Sequence, residues 1–339
     1  MKRVWLAAAA LLLAGCARYA DFALPAAAGG DPRASFEFEA RPAPVLGRGA
    51  GFDSRDVLNP AVVRRGGLLN FYSGFDGRTW TTGAAVSEDG LAWRKLGMVL
   101  APDAGTWEGS YIAANGSALF FGGRFWYWYQ AGPRGAPRVG LAVSASSDAG
   151  RAWRKQPKPV LEPGPYMSWD ERAVADPWVL RSEPYFYLYY LGQDRAGRQR
   201  LGVARSRDGI RWEKLRSNPV LELGDAGAFD ENGLGEPAVW NSEGFYWMLY
   251  TGRDRSENRR MGLARSLDGV HWSKQSKVFA GGEAWDSKVM CDASVLVEDG
   301  AVRVWFGGGD TASPDENLNG QIGYGVLRPV LHYNPARNE

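Results

Sequence analysis

The sequence predicts an all-β fold: a five-bladed β-propeller, four antiparallel strands per blade, its ring closed by an N-terminal strand that completes the fifth blade. Three observations carry this expectation. One series of motifs recurs five times along the chain with a period of about 58 residues. Each copy holds an aromatic run with strand-like alternation, such as Phe125-Trp126-Tyr127-Trp128-Tyr129 or Phe245-Tyr246-Trp247-Met248-Leu249-Tyr250. Asp-Gly pairs separate strand-like runs at Asp89-Gly90, Asp208-Gly209 and Asp268-Gly269, a strong hairpin signal. Four short strands repeated at one period make a propeller; a stack of sandwiches would not keep the period.

Each repeat is built in the same order. It opens with a Pro-Val-Leu-like run: Pro44-Val45-Leu46, Met98-Val99-Leu100, Pro159-Val160-Leu161, Pro219-Val220-Leu221 and Lys277-Val278-Phe279. An aromatic-acidic pair follows at Phe52-Asp53, Trp107-Glu108, Trp169-Asp170, Phe229-Asp230 and Trp285-Asp286. A polar residue then opens the first strand: Asn59-Pro60, Asn115-Gly116, Asp176-Pro177, Glu236-Pro237 and Asp292-Ala293. The fifth repeat lacks the Asp-Gly turn and the Trp strand after it. The segment Phe38 to Leu46 aligns without gaps on Trp153 to Leu161, so the N-terminus is expected to supply that outer strand and cover the edge.

Composition bounds the chemistry. The 339 residues net +2, which gives no case for nucleic acid as a partner. There are 44 Gly, 15 Trp, 14 Tyr and 14 Phe, consistent with turns and inter-blade packing. Only 2 His and 2 Cys are present, which argues against a His-based metal site, a Ser-His-Asp triad, a disulfide framework or a Cys-type zinc site. No cofactor and no metal are expected, and chemistry falls to carboxylates.

Lys2 and Arg3 precede a short apolar run, Trp5 to Leu13, and Leu13-Ala14-Gly15-Cys16 resembles a bacterial lipobox. The resemblance implies a signal peptide over residues 1–15 and a lipidated Cys16. Ala17 in place of an aspartate favours the outer membrane over the inner. Residues 16–34, rich in Ala, Gly and Pro, read as a flexible tether, and 35–334 as the propeller, a monomer touching the membrane only through its anchor. Cys291, in an apolar run, reads as a small core residue. The stretch Ser146-Ser147-Asp148-Ala149-Gly150-Arg151-Ala152-Trp153 is similar to the Asp-box of sialidases, a turn-forming motif that supports the fold more than any activity.

The repeat alignment places Asn59, Asn115, Asp176, Glu236 and Asp292 around one end of the central channel. Crowded carboxyl groups raise one another's pKa, which lets one stay protonated while another is charged. The structural alternative is that these residues cap strands or hold water. At these positions the chain resembles the five-bladed propeller glycosidases of families 43, 32, 62, 68, 117 and 130. The resemblance implies Glu236, in Gly-Glu-Pro-Ala-Val, as general acid and Asp176, in Ala-Asp-Pro-Trp-Val, as the residue that orients and tunes it. The first-blade base of family 43 is replaced by Asn59, so Asp56, or Asp292 in second place, is the candidate for activating water, with Asn59, Asn115 and Asp292 as sugar-binding groups. Asn-Pro on the first blade is similar to family 130, although that family's second-blade acid is Asn115 here. The expected function is therefore a lipid-anchored glycoside hydrolase on an oligo- or polysaccharide. A non-catalytic glycan-binding propeller, a family 130-like mannoside phosphorylase or hydrolase, and an envelope scaffold are the alternatives. Arginines in the mouth loops (Arg134, Arg138, Arg195, Arg198, Arg200, Arg253, Arg255, Arg259 and Arg260) suggest a bias towards anionic glycans, against a bland reading as solvated charge.

Overall fold

In the run Phe245 to Tyr250 both strand faces are apolar, and the strand Phe245–Arg253 is buried along all but its last residue. Such a strand needs a bonded neighbour on each edge and a packed layer on each face. Repetition supplies both. The computed structural model describes residues 19–330, apart from Ser146, Ser147 and Ala149. The expected signal peptide over 1–15 and the lipidated Cys16 lie outside the described residues.

Two short strands precede the repeats, β1 (Tyr19–Ala20) and β2 (Phe36–Ala40). The repeats then lay down antiparallel groups. The first is β3 (Asp56–Arg65), β4 (Gly67–Phe75), β5 (Trp80–Ser87) and β6 (Arg94–Leu100), paired in that order. The second is β7 (Ile112–Phe121), β8 (Arg124–Gly132), β9 (Arg138–Ala145) and β10 (Trp153–Lys155). The third is β11 (Ala173–Ser182), β12 (Tyr185–Gln193), β13 (Gln199–Ser206) and β14 (Glu213–Leu215). The fourth is β15 (Gly233–Ser242), β16 (Phe245–Arg253), β17 (Arg259–Ser266) and β18 (Ser273–Phe279). The last runs β19 (Val289–Glu298), β20 (Ala301–Gly309) and β21 (Gln321–Pro329), and β2 pairs antiparallel with β21. Leu46 bridges Ile322 as Leu161 bridges Val139 and Leu221 bridges Leu201, so the N-terminal segment occupies the register that its alignment on Trp153 to Leu161 implies.

The groups are not isolated four-stranded sheets. Short parallel contacts join β5 to β7 and β17 to β19, giving one five-stranded and two eight-stranded sheets. A second departure is the tether. Residues 19–34 pack against the third and fourth groups. The strand β1 pairs with β14, and the N–H groups of Leu24, Ala27 and Gly29 donate to Asp268, Leu267 and Gly244. Leu24 is buried, and Arg205 lies over the Phe22 ring. The Ala/Gly/Pro composition permits an extended strap as readily as a coil, and the exposed edge of β14 decides between them.

Two devices hold the groups. In the Asp-Gly turns, Asp89, Asp208 and Asp268 each accept the N–H groups two and three residues on. The turn Trp indole then donates to the turn Gly carbonyl, in Trp93, Trp212 and Trp272. An aromatic of an adjacent group donates to the same carbonyl: Trp305 to Gly90, Trp128 to Gly209 and Tyr189 to Gly269. The acid of each aromatic-acidic pair forms the second device. Asp53, Glu108, Asp170 and Asp230 each bind a lysine, Lys95, Lys155, Lys214 and Lys274, at 2.5 Å. Each also accepts a tyrosine hydroxyl, from Tyr72, Tyr129, Tyr190 and Tyr250. In the last group Phe306 stands in the tyrosine's place and Ala40 in the lysine's; Asp286 instead accepts the Glu283 N–H at 2.8 Å.

Candidate functional site

Near its opening, the first strand of each group carries one non-glycine residue in the left-handed region: Asn59 at φ 48°, Asn115 at 48°, Asp176 at 50°, Glu236 at 50° and Asp292 at 56°. The strand register slips at each of them. A bulge of this kind takes one side chain out of the alternation and re-aims it. The five side chains meet around one cavity of about 310 Å³. Asn and Asp accept such a backbone more readily than Glu does, so Glu236 is the most strained of the five.

Hydrogen bonds link the ring. The Asn115 Nδ2 donates to Asp176 Oδ1 at 2.6 Å, and the Glu236 N–H donates to Asp176 Oδ2 at 3.3 Å. The Asn59 N–H donates to Asp292 Oδ2 at 3.3 Å, and the Asp292 N–H to Thr251 Oγ1 at 3.3 Å. One atom each from Glu236, Cys291 and Asp292 lie within 4.8 Å of one another. The cation of that cluster is the buried Arg259, whose Nη2 also donates to the Pro314 carbonyl at 2.7 Å, and we assign no metal to it. Glu236 Oε2 and Asp292 Oδ1 are buried without a hydrogen-bond partner among the described residues.

This crowding sets the charges. Burial first, then the charge of Glu236, pushes the Asp176 carboxyl up to about 7. The same two causes, in the same order, hold Asp292 well above the ordinary carboxylate range. Burial, with Asp292 and Glu236 beside it, raises the Cys291 thiol well above its usual value, so it stays neutral. Burial opposes the charge of Arg259, but the carboxyl cluster of Glu236 and Asp292 beside it keeps the guanidinium charged.

Asp56 does not join the site. It is fully buried and accepts the N–H groups of Asn317, Leu318 and Gly320 at 2.7, 3.0 and 2.8 Å. Its carboxylate is taken up by these three amides, and it does not line the cavity. It anchors the loop between β20 and β21, and that loop lies over the mouth. Tyr111 of the second group donates to Glu316 there at 2.6 Å, and Arg259 of the fourth bonds Pro314.

The mouth arginines are mostly committed. Arg134 pairs with Glu316 at 2.8 Å, Arg195 with Glu171 at 3.3 Å and Arg255 with Glu231 at 3.1 Å. Arg198 and Arg200 share Asp194, at 2.7 and 3.0 Å, and Arg253 lies 3.2 Å from Glu257. Such pairs leave little free positive charge for an anionic glycan, which favours the bland reading. Cys291 is packed with Leu58 and Phe75 as a core residue would be, but its sulfur also borders the carboxyl cluster. Sequence reasoning gave Arg259 no role at the floor, because its partners come from strands far along the chain.

Fold and site together define a member of the propeller glycosidase superfamily. The chain belongs to the glycosyl hydrolases family 32 N-terminal domain family, whose model matches residues 71–217 and 182–298. It is similar to an uncharacterised protein of Mycobacterium tuberculosis, 29% identical over 230 residues, 64% of this chain and 75% of that one. It is also similar to a 1,2-beta-oligomannan phosphorylase of Thermoanaerobacter sp., 31% identical over 134 residues, 37% of this chain and 44% of the relative. A solved glycoside hydrolase superposes with a TM-score of 0.70 at 21% identity, over 88% of this chain and 94% of its own, a likeness of fold.

Proposed function

We propose that this chain is a lipid-anchored glycoside hydrolase of the bacterial envelope, acting on an oligo- or polysaccharide in the funnel of a five-bladed ring that β2 closes. The observation that carries the reading is the convergence of Asp176, Glu236 and Asp292 on one cavity, each on a strained bulge. Glu236 protonates the leaving oxygen, and Asp176, which accepts the Glu236 N–H, holds and tunes it. Asn59 and Asn115 bind sugar hydroxyls.

An inverting reaction needs acid and base roughly 6.5–9.5 Å apart, with water between them. Asp292 lies too near Glu236 for that, within 4.8 Å. Among the described residues, the remaining carboxylate lining the cavity is Asp315, on the loop over the mouth and 3.7 Å from Arg134. We assign it the activation of water. Only Ala17 and Arg18 separate Cys16 from β1, a reach of roughly 10 Å. The strap bonds the turns opposite the strand openings. An anchor at Cys16 therefore turns the mouth away from the membrane.

The test is turnover on a broad glycoside panel by wild type, Glu236→Gln, Asp176→Asn and Asp315→Asn, with and without phosphate. Loss in all three variants supports the reading; undiminished turnover in Glu236→Gln and Asp176→Asn defeats it. Turnover that requires phosphate would favour the phosphorylase reading, to which the oligomannan phosphorylase relative points. Asn59, an amide at the usual base position, favours binding without cleavage; glycan retention with no turnover by wild type would establish it.

A further inference from the structure

Among the described residues, the floor of the funnel holds more carboxylate than its one guanidinium balances. Glu236 enters from β15, Asp176 from β11 and Asp292 from β19, while Arg259 enters from β17. The other described elements around Asp292 bring no further carboxylate to it. The strand β3 offers the Asn59 N–H, β16 offers Thr251 Oγ1, and Cys291 stays a neutral thiol. The strand β20 offers Gly307, where even a Cβ would approach Asp292 Oδ2 to 2.8 Å, so the space behind it is filled. One oxygen of Asp292 is thus held by Asn59. Its other oxygen and Glu236 Oε2 are both buried and meet no N–H or O–H donor among the described residues, the weak Cys291 thiol being the one S–H donor beside Asp292. Two ionised carboxylates have no hydrogen to share, whereas one proton gives them a hydrogen bond and removes one buried charge.

We propose that Glu236 and Asp292 hold a single proton between them beside Arg259, and that Asp292 thereby keeps Glu236 supplied as an acid. The inference rests on the glycosidase reading of Glu236. Asp292 is a positioning residue, since it acts through Glu236 and not on the sugar. The proton belongs to the pair, not to either member. In turnover Glu236 gives that proton to the leaving oxygen, which takes the electron pair of the breaking C–O bond. Water forms the new bond to carbon, and the proton it loses recharges the pair through solvent. The Asn59 main-chain N–H holds one oxygen of Asp292, and Oδ1 is left for the shared proton.

The test is the infrared carboxyl band of the full chain at about pH 8, where most carboxylates, Asp176 included, are ionised. Wild type is expected to show a protonated-carboxyl band that Asp292→Asn and Glu236→Gln each lose. Absence of the band in wild type, or its survival in both variants, overturns the proposal. Thermal unfolding gives a second readout that needs no activity. A carboxyl whose folded pKa is raised binds its proton more tightly in the native state, so its stabilisation is full below the ordinary range and is lost as pH rises through the folded value. Wild-type stability should therefore fall with rising pH more steeply than that of Asp292→Asn; equal slopes would contradict the shared proton. In kinetics, Asp292→Asn should move the alkaline limb of kcat/KM down by about one pH unit or more, with KM little changed. If the band behaves as expected but wild type turns over no glycoside, the pair stands and its catalytic use is refuted.

Discussion

Glu236 is held at φ 50°, where asparagine or aspartate would rest with less strain. It also faces Asp292 at close range. A residue held in a strained backbone conformation is retained for what its side chain does. Asparagine relieves the backbone strain but loses the shared proton as alanine does, so Glu236→Asn should be more stable than Glu236→Ala by about 1 kcal/mol, read by thermal unfolding, with cleavage removed in both. Equal stability of the two variants would argue against strain at this position. Asp176, raised to about 7, adds stability that is full below the ordinary carboxylate range and fades as pH climbs towards 7. Asp176→Asn should therefore flatten the stability profile between about pH 4 and pH 7. The ring residues were legible because the repeats align them. The structural role of Asp56 is not legible in the sequence, because nearness in sequence does not fix the side on which a residue of a bulged strand lies. Its three amide partners lie in the loop 317–320, far along the chain.

The strands are legible in their alternation and their turns, but the latches between them are not. Each acid and its lysine stand 42 to 47 residues apart. Without the fold, Lys214 is one basic residue in a short strand. In the structure it is 7% exposed against a fully buried Asp170. Breaking such a pair leaves a buried charge alone, so Lys214→Ala should lower unfolding stability by about 3–5 kcal/mol. The paired control is Lys214→Met with Asp170→Leu, which removes both charges and should recover much of the loss. A Lys214→Ala variant of near wild-type stability would refute the latch. The last group, with Phe306 and Ala40 in place of the tyrosine and lysine, relies instead on Phe36 packed against Trp240 and Trp247.

On the scale of the molecule, the N-terminal segment does the work of a missing strand. Phe36 and Phe38 bring apolar surface to the fourth and last groups, and Phe38 packs on Phe279 and Phe306. Deleting residues 19–46 would bare the edge of β21 and remove the strap, and it should lower the unfolding temperature and promote association in light scattering. A monomer of wild-type stability would contradict that role. The pairing of β2 with β21 could be read from the sequence because the segment repeats a motif. The strap could not, since Ala-, Gly- and Pro-rich composition describes what a segment lacks and not the edge that receives it. The central claim is that Glu236 acts as an acid at the floor of this funnel. The most direct measurement compares wild type and Glu236→Gln on one sugar carried by leaving groups of graded acidity. The account predicts a loss of about 10²–10⁴-fold on poor leaving groups that shrinks towards none on good ones. An equal loss across the series, or no loss at all, would contradict it.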